Sequence, residues 1–157
     1  MTEAATAGST TDRVELRVPA DPAYLAVLRT ATAGLAARLD LTLDEIEDLR
    51  IAVDEACALV LGPQALDGSD DPTSTHVPPV PAPPAQRTGA LDTLRATFDL
   101  GPEGLSVEVS GPARTLPGRE SFAWAVLEAL VGALETGLDD EGRQSIRLRH
   151  AGSRRGT

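Results

Sequence analysis

The chain has no lysine: all 14 of its basic residues are arginine, set against 24 acidic ones for a net charge of −10. Such an acidic excess argues against a surface that follows nucleic-acid phosphates and suits one that docks a basic partner. Aromatics are scarce too, at 3%. Cys57 stands alone, which excludes an intrachain disulfide, and nothing in cysteine usage points to an oxidising compartment. No stretch approaches the roughly 18 uninterrupted apolar residues that span a bilayer. The opening MTEAATAGSTT has neither the positive n-region nor the apolar h-region of a secretory signal. These absences predict a cytoplasmic protein with no membrane contact and no direct nucleic-acid partner.

What is present suffices for one domain: 157 residues, 41% of them hydrophobic. Residues 1–11 are small and polar and read as a disordered tail. RVELRV alternates Val14, Leu16 and Val18 on one face, a half-buried strand that Pro19 ends. Asp21 before Pro22 is an N-cap and first-turn signal, and the apolar spacing beyond predicts a helix over about 22–39. Thr42 followed by Glu45 is a capping box that opens a second helix, about 43–61, closed by Gly62 and Pro63.

Between Gly62 and Gly89 the composition changes, with seven of the 12 prolines gathered there. That favours extended polyproline conformations and a mobile inserted loop, either a tolerated insertion or a partner-binding motif. TLRATFDL and LSVEVS alternate again, with Gly101 and Gly104 permitting a hairpin between them. A third helix is expected from Ser121 to about Thr136, then a strand RQSIRLRH and an arginine-rich tail over 151–157. The order β-α-α-loop-β-β-α-β predicts an α+β, two-layer sandwich: an antiparallel or mixed sheet with helices on one face, over residues 12–150.

IAVDEACALVL sets two carboxylates into an apolar run. At 100° per residue Ile46, Leu49, Val53, Ala56 and Val60 form a core stripe. Glu55 lies more than 100° from its centre, among Ile51, Ala52 and Leu59. Either this second face lines a pocket or another chain, or Glu55 is an exposed residue among scattered apolar neighbours. On the third helix Phe122, Ala125, Val126, Ala129 and Ala133 make one apolar face, with Trp124 and Val131 on another beside Glu128 and Glu135. Trp124 is then either an outward anchor for a partner or a wedge between helix and sheet.

The string LRIAVDEACALVL resembles the N-box helix of the anti-sigma factor and serine-protein-kinase family of GHKL (Bergerat-fold) ATPases, whose usual form is close to LAVSEAxTNAV. VELRVPADPAYLAVLR resembles the family's opening segment and SFAWAVLEALV its helix after the ATP lid. The Cys after VDE and the Ser-Phe-x-Trp start of the last helix look most like the actinobacterial anti-sigma-F type.

The resemblance implies that Glu55 takes the place of the general base that orients a substrate serine toward the γ-phosphate. It also implies that Leu59 replaces the asparagine that coordinates Mg²⁺, and leucine offers no oxygen to a hard cation. Where the family has an aspartate for the adenine amino group, this chain has Val109 or Ser110, followed by Gly111. The lid's glycine run is reduced to Gly118 and Arg119, with Glu120 close to the helix start, where it would repel an anion. With these motifs degenerate, no cofactor is expected with confidence, ATP and Mg²⁺ being the candidates. Filling the vacated pocket with Leu59 would recover about 1.5–3 kcal/mol of burial. The implied partners are a sigma factor, met near Arg17, Asp21, Tyr24 and Arg29 by a homodimer, and an anti-sigma factor antagonist.

Overall fold

The computed structural model of the protein describes residues 10–62 and 93–151. The expected N-terminal tail, proline-rich insertion and arginine-rich C-terminal tail lie outside the described residues, but for a few at their ends. β1 (Asp12–Pro19) leads through Asp21, whose carboxylate accepts a hydrogen bond from the Ala23 N–H at 2.8 Å, into a single 3-10 turn at Pro22–Tyr24. α1 (Leu25–Ala36) follows directly. α2 (Leu43–Leu61) starts on the anticipated capping box, with the Glu45 carboxylate accepting from the Thr42 N–H at 2.6 Å and the Glu45 N–H donating to Thr42 Oγ1 at 3.3 Å. Then come β2 (Thr93–Gly101), β3 (Gly104–Gly111), α3 (Phe122–Leu130), β4 (Ala133–Leu138) and β5 (Gln144–Ala151).

The five strands form one sheet in the order β1-β2-β3-β5-β4, antiparallel throughout. Its two faces are chemically distinct, because side chains directly opposite on paired strands share a face. Val14, Phe98, Val107, Leu148 and Leu134 lie in one row and Leu16, Ala96, Val109 and Ile146 in the next, all toward the helices. The opposite face bears Arg13–Asp99 and Glu15–Thr97–Glu108–Arg147–Glu135, rows of charged and polar residues in which each arginine stands beside an acid. α2 lies over the centre of the apolar face, with Leu49, Val53, Ala56 and Val60 wholly buried, as the core stripe predicted. α1 and α3 both pack on α2. The α+β sandwich is thus observed, with the sheet antiparallel rather than mixed.

Two expectations need correction. The third helix does not run to Thr136: it ends at Leu130, where Val131 turns to extended backbone (φ −127°, ψ 154°). Ala133–Leu138, rich in helix formers, pairs instead with β5 as a fifth strand. Its local preference is overridden by the free edge of β5, since strand pairing depends on context more than on propensity. The helix face is also reversed. Trp124 and Leu127 are buried, whereas Ala125 and Ala129 are exposed and Phe122 is 84% exposed.

Candidate functional site

The site anticipated from the sequence is the flank of α2 bearing Glu55. Asp54, one residue earlier, points toward α1, where its Oδ1 lies 3.5 Å from Arg29 Nη1. A further 100° of rotation places Glu55 on the other flank with Ala52 and Leu59, the side on which α3 packs. Glu55 is half-buried and has no hydrogen-bond or ion-pair partner among the described residues. Ala52 is fully buried and Leu59 half-buried against the core, so these two extend the core sideways, while Ile51 is 50% exposed. Cys57 is buried on the opposite flank, and desolvation, with a smaller contribution from Asp54, pushes its thiol pKa up, so it has no reactive thiolate.

The end of β3 meets the end of α2 at Gly111. A Cβ at this position would lie 2.5 Å from the Val60 carbonyl oxygen, and the Ala113 N–H donates to that same oxygen at 2.8 Å. Gly111 is therefore needed for contact between two segments of this chain. Val109 faces the core and is wholly buried. Ser110 lies on the other face of the sheet, in register with Arg95 and Ser145, and its Oγ accepts from Arg143 Nη2 at 3.3 Å. Ser110 thus faces away from the helices, across the sheet from Glu55.

Gly118 and Arg119 belong to the turn that enters α3, where the Ser121 N–H donates to the Gly118 carbonyl at 3.0 Å. The Glu120 carboxylate is folded over Gly118, in the place a Cβ there would take. An acidic group of the chain itself thus occupies the approach to the helix start. Trp124 is 1% exposed and donates from Nε1 to the Pro117 carbonyl at 2.8 Å. Arg119 stacks on its ring, 4.7 Å from the centroid, and donates to Thr136 Oγ1 at 3.3 Å. Trp124 is the wedge of the two alternatives, tying the loop before α3 to the sheet, and not an outward anchor. Beside it a cavity of about 370 Å³ is lined by Leu116, Pro117, Arg119, Trp124, Thr136 and Leu138.

The four residues placed at a partner surface do not share one face. Arg17 projects from the charged face of the sheet and pairs with Glu15 at 2.7 Å and Glu141 at 3.3 Å. Arg29 lies in the helical layer, and Asp21 and Tyr24 form the turn between.

Sequence reasoning missed the cluster around Asp139. Its carboxylate accepts from the backbone N–H groups of Glu141 and Arg143 at 2.9 and 2.8 Å and from Arg143 Nε at 3.0 Å, and it lies 3.2 Å from Arg95 Nη2. Asp140 also pairs with Arg95. Desolvation works to raise the Asp139 pKa, but the hydrogen bonds from Arg143 and Ser110 and the Arg143 charge outweigh it and hold it below the ordinary range. The available signal was the turn sequence DDEG, with Gly142 at φ +75°.

These residues do not fit a magnesium–nucleotide complex held in the way the resemblance implies. Leu59 supplies hydrocarbon at the metal position, Val109 has no polar atom, and Ser110 is turned away.

No family profile matches the chain. It is similar to the serine-protein kinase RsbW of Bacillus subtilis (strain 168), 52% identical over 46 residues, 29% of either chain. It is also similar to the protein of the same name from Bacillus pumilus (strain SAFR-032), 33% identical over 99 residues, 59% of this chain and 61% of that one. The RsbW of Bacillus thuringiensis (strain Al Hakam) is 38% identical over 50 residues, 32% of this chain and 31% of the relative. In each case the match spans less than two thirds of the relative. The similarity bears out the resemblance to the anti-sigma serine-protein kinases read from the N-box string.

Proposed function

We propose that the protein is an anti-sigma regulatory factor: it binds and sequesters an alternative sigma subunit of RNA polymerase, with little or no phosphoryl transfer from ATP. The reading rests on similarity to serine-protein kinases named RsbW combined with Leu59 in the place of the metal-binding asparagine. It acts as a cytoplasmic homodimer and is displaced from the sigma factor by an antagonist protein. No described helix is long and apolar enough to cross a membrane, which agrees with that setting. The acidic excess favours a partner whose promoter-reading surface is basic. The test is co-purification: a sigma factor from the same cell should be held at micromolar concentration or tighter, and no association with any of that cell's sigma factors would overturn the reading.

One observation favours a second reading, a working serine-protein kinase. Glu55 keeps a carboxylate half-buried on the α3 flank with no partner among the described residues, the state of a base awaiting a hydroxyl. Calorimetric titration with Mg-ATP separates the two. Binding, with transfer of labelled phosphate to an antagonist that Glu55→Gln abolishes, would establish the kinase; absence of heat and of thermal stabilisation by Mg-ATP would leave the binding module.

A further inference from the structure

α3 is apolar nearly all round: its nine residues, FAWAVLEAL, carry one charge, Glu128. A helix of that composition belongs in an interior, yet only one side of this one is covered. Trp124 and Leu127 face the core, and the helical repeat turns Phe122, Ala125 and Ala129 toward the opposite side, where all three are exposed. Phe122 is 84% exposed and has no local task. It follows the N-cap Ser121 directly, whereas a hydrophobic staple at this entry would join position 120 to Ala125, and position 120 is a glutamate. The flank of α2 that packs toward α3 adds Ile51, 50% exposed, and the half-buried Glu55.

Charge says what kind of chain fits this side of the helical layer. Glu55 has no partner among the described residues, and Glu120 and Glu128 flank α3. Arg119, the basic residue at the entry to α3, is already engaged, stacked 4.7 Å from the Trp124 centroid and 3.8 Å from Glu128. The side therefore offers apolar contact together with an unpaired acid.

We propose that the outward side of α3 and the adjoining flank of α2 dock an amphipathic helix of the sigma factor, whose apolar residues, spaced three and four apart, run along Phe122, Ala125 and Ala129 while an arginine or lysine of that helix reaches Glu55. The proposal rests on the sigma-factor reading above and names its surface. Glu55 supplies the selectivity that apolar area lacks: a purely apolar or acidic helix would cover a carboxylate and leave it unpaired, which a basic one does not. Arg29, on α1, packs on the other flank of α2 and takes no part.

Calorimetric titration of the full chain with the sigma factor of the same cell tests it, with urea midpoints taken for each variant. Phe122→Ser should weaken the complex at least about thirtyfold and leave the urea midpoint unchanged, because the ring stands in water in the free protein. Glu55→Lys should weaken it at least about tenfold. Glu103→Lys makes the same change of charge on the turn between β2 and β3 and should weaken it less than about threefold. Absence of any sigma complex overturns the sigma-factor reading and this surface with it. A sigma complex indifferent to Phe122→Ser and Glu55→Lys, or as sensitive to Glu103→Lys as to Glu55→Lys, overturns this surface and leaves that reading standing. Two other results would also overturn it: a urea midpoint lowered by Phe122→Ser, which assigns the face to another part of this chain, and self-association lost in Phe122→Ser with sigma binding intact, which assigns it to a second copy.

Discussion

Leu59 and Gly111 show how differently single positions on one flank are constrained. Leu59 packs half-buried on the core, and an asparagine there would replace that hydrocarbon with an amide whose nearest acceptor is the half-buried Glu55 carboxylate one turn earlier. Leu59→Asn is therefore expected to cost about 1–3 kcal/mol in urea denaturation. Glu55→Gln, with no partner to lose among the described residues, should change stability by less than about 0.5 kcal/mol. Gly111→Ala drives a methyl against the Val60 carbonyl, which belongs to backbone that cannot rotate away, and should cost about 2 kcal/mol or more by the same measurement. A Gly111→Ala protein as stable as wild type would show that the α2–β3 contact is loose. The capping box of Thr42 and Glu45 was legible because both partners lie within four residues. The need for glycine at 111 was not, since the atom it accommodates is some fifty residues away and only folding brings it near.

Elements were legible where period and punctuation agreed. α2 keeps its apolar spacing for 19 residues between a cap and a glycine, and its bounds were anticipated as observed. From Val126 to Glu135 α3 and β4 share a run of Ala, Leu, Val and Glu broken only by Gly132, which local preference reads as helix, and pairing with β5 divides it at Val131. What secures that pairing is the turn after β4. Asp139 and Arg143 have side chains 0% and 3% exposed, and Arg95, at 8%, bridges from β2. Removing the acid leaves Arg95 to Asp140 and Arg143 to Glu141, both better hydrated than Asp139, so Asp139→Asn should cost about 2 kcal/mol. The sign of the pH dependence follows from the lowered Asp139 pKa. Its stabilisation is complete above the unfolded-state value, near 4, and is lost as pH falls through the folded-state value. Urea midpoints taken from pH 6 down to pH 2.5 should therefore drop more steeply for the wild type than for Asp139→Asn. Parallel profiles would mean that the carboxylate is not held by its arginines.

At the scale of the whole molecule the acidic excess is more one-sided than composition suggests. Every described arginine except Arg114 lies at ion-pair distance from a carboxylate of the same chain. The positive charges are thus largely neutralised where they stand, whereas carboxylates such as Glu55, Glu103 and Glu120 have no such partner among the described residues. The field that an approaching molecule meets is negative, and it accelerates encounter with a basic partner. Arg17, Asp21, Tyr24 and Arg29 do not converge on one patch, so the attraction comes from the surface as a whole rather than from a point contact. Salt should then act on the association rate. Between about 0.1 M and about 1 M the Debye length shrinks from about 10 Å to about 3 Å. The association rate with the sigma factor proposed as partner, followed by stopped-flow fluorescence of Trp124, should fall at least about tenfold over that range while the dissociation rate changes little. An association rate indifferent to salt would mean that a local apolar contact, such as the exposed Phe122, governs recognition and that the acidic excess serves only solubility.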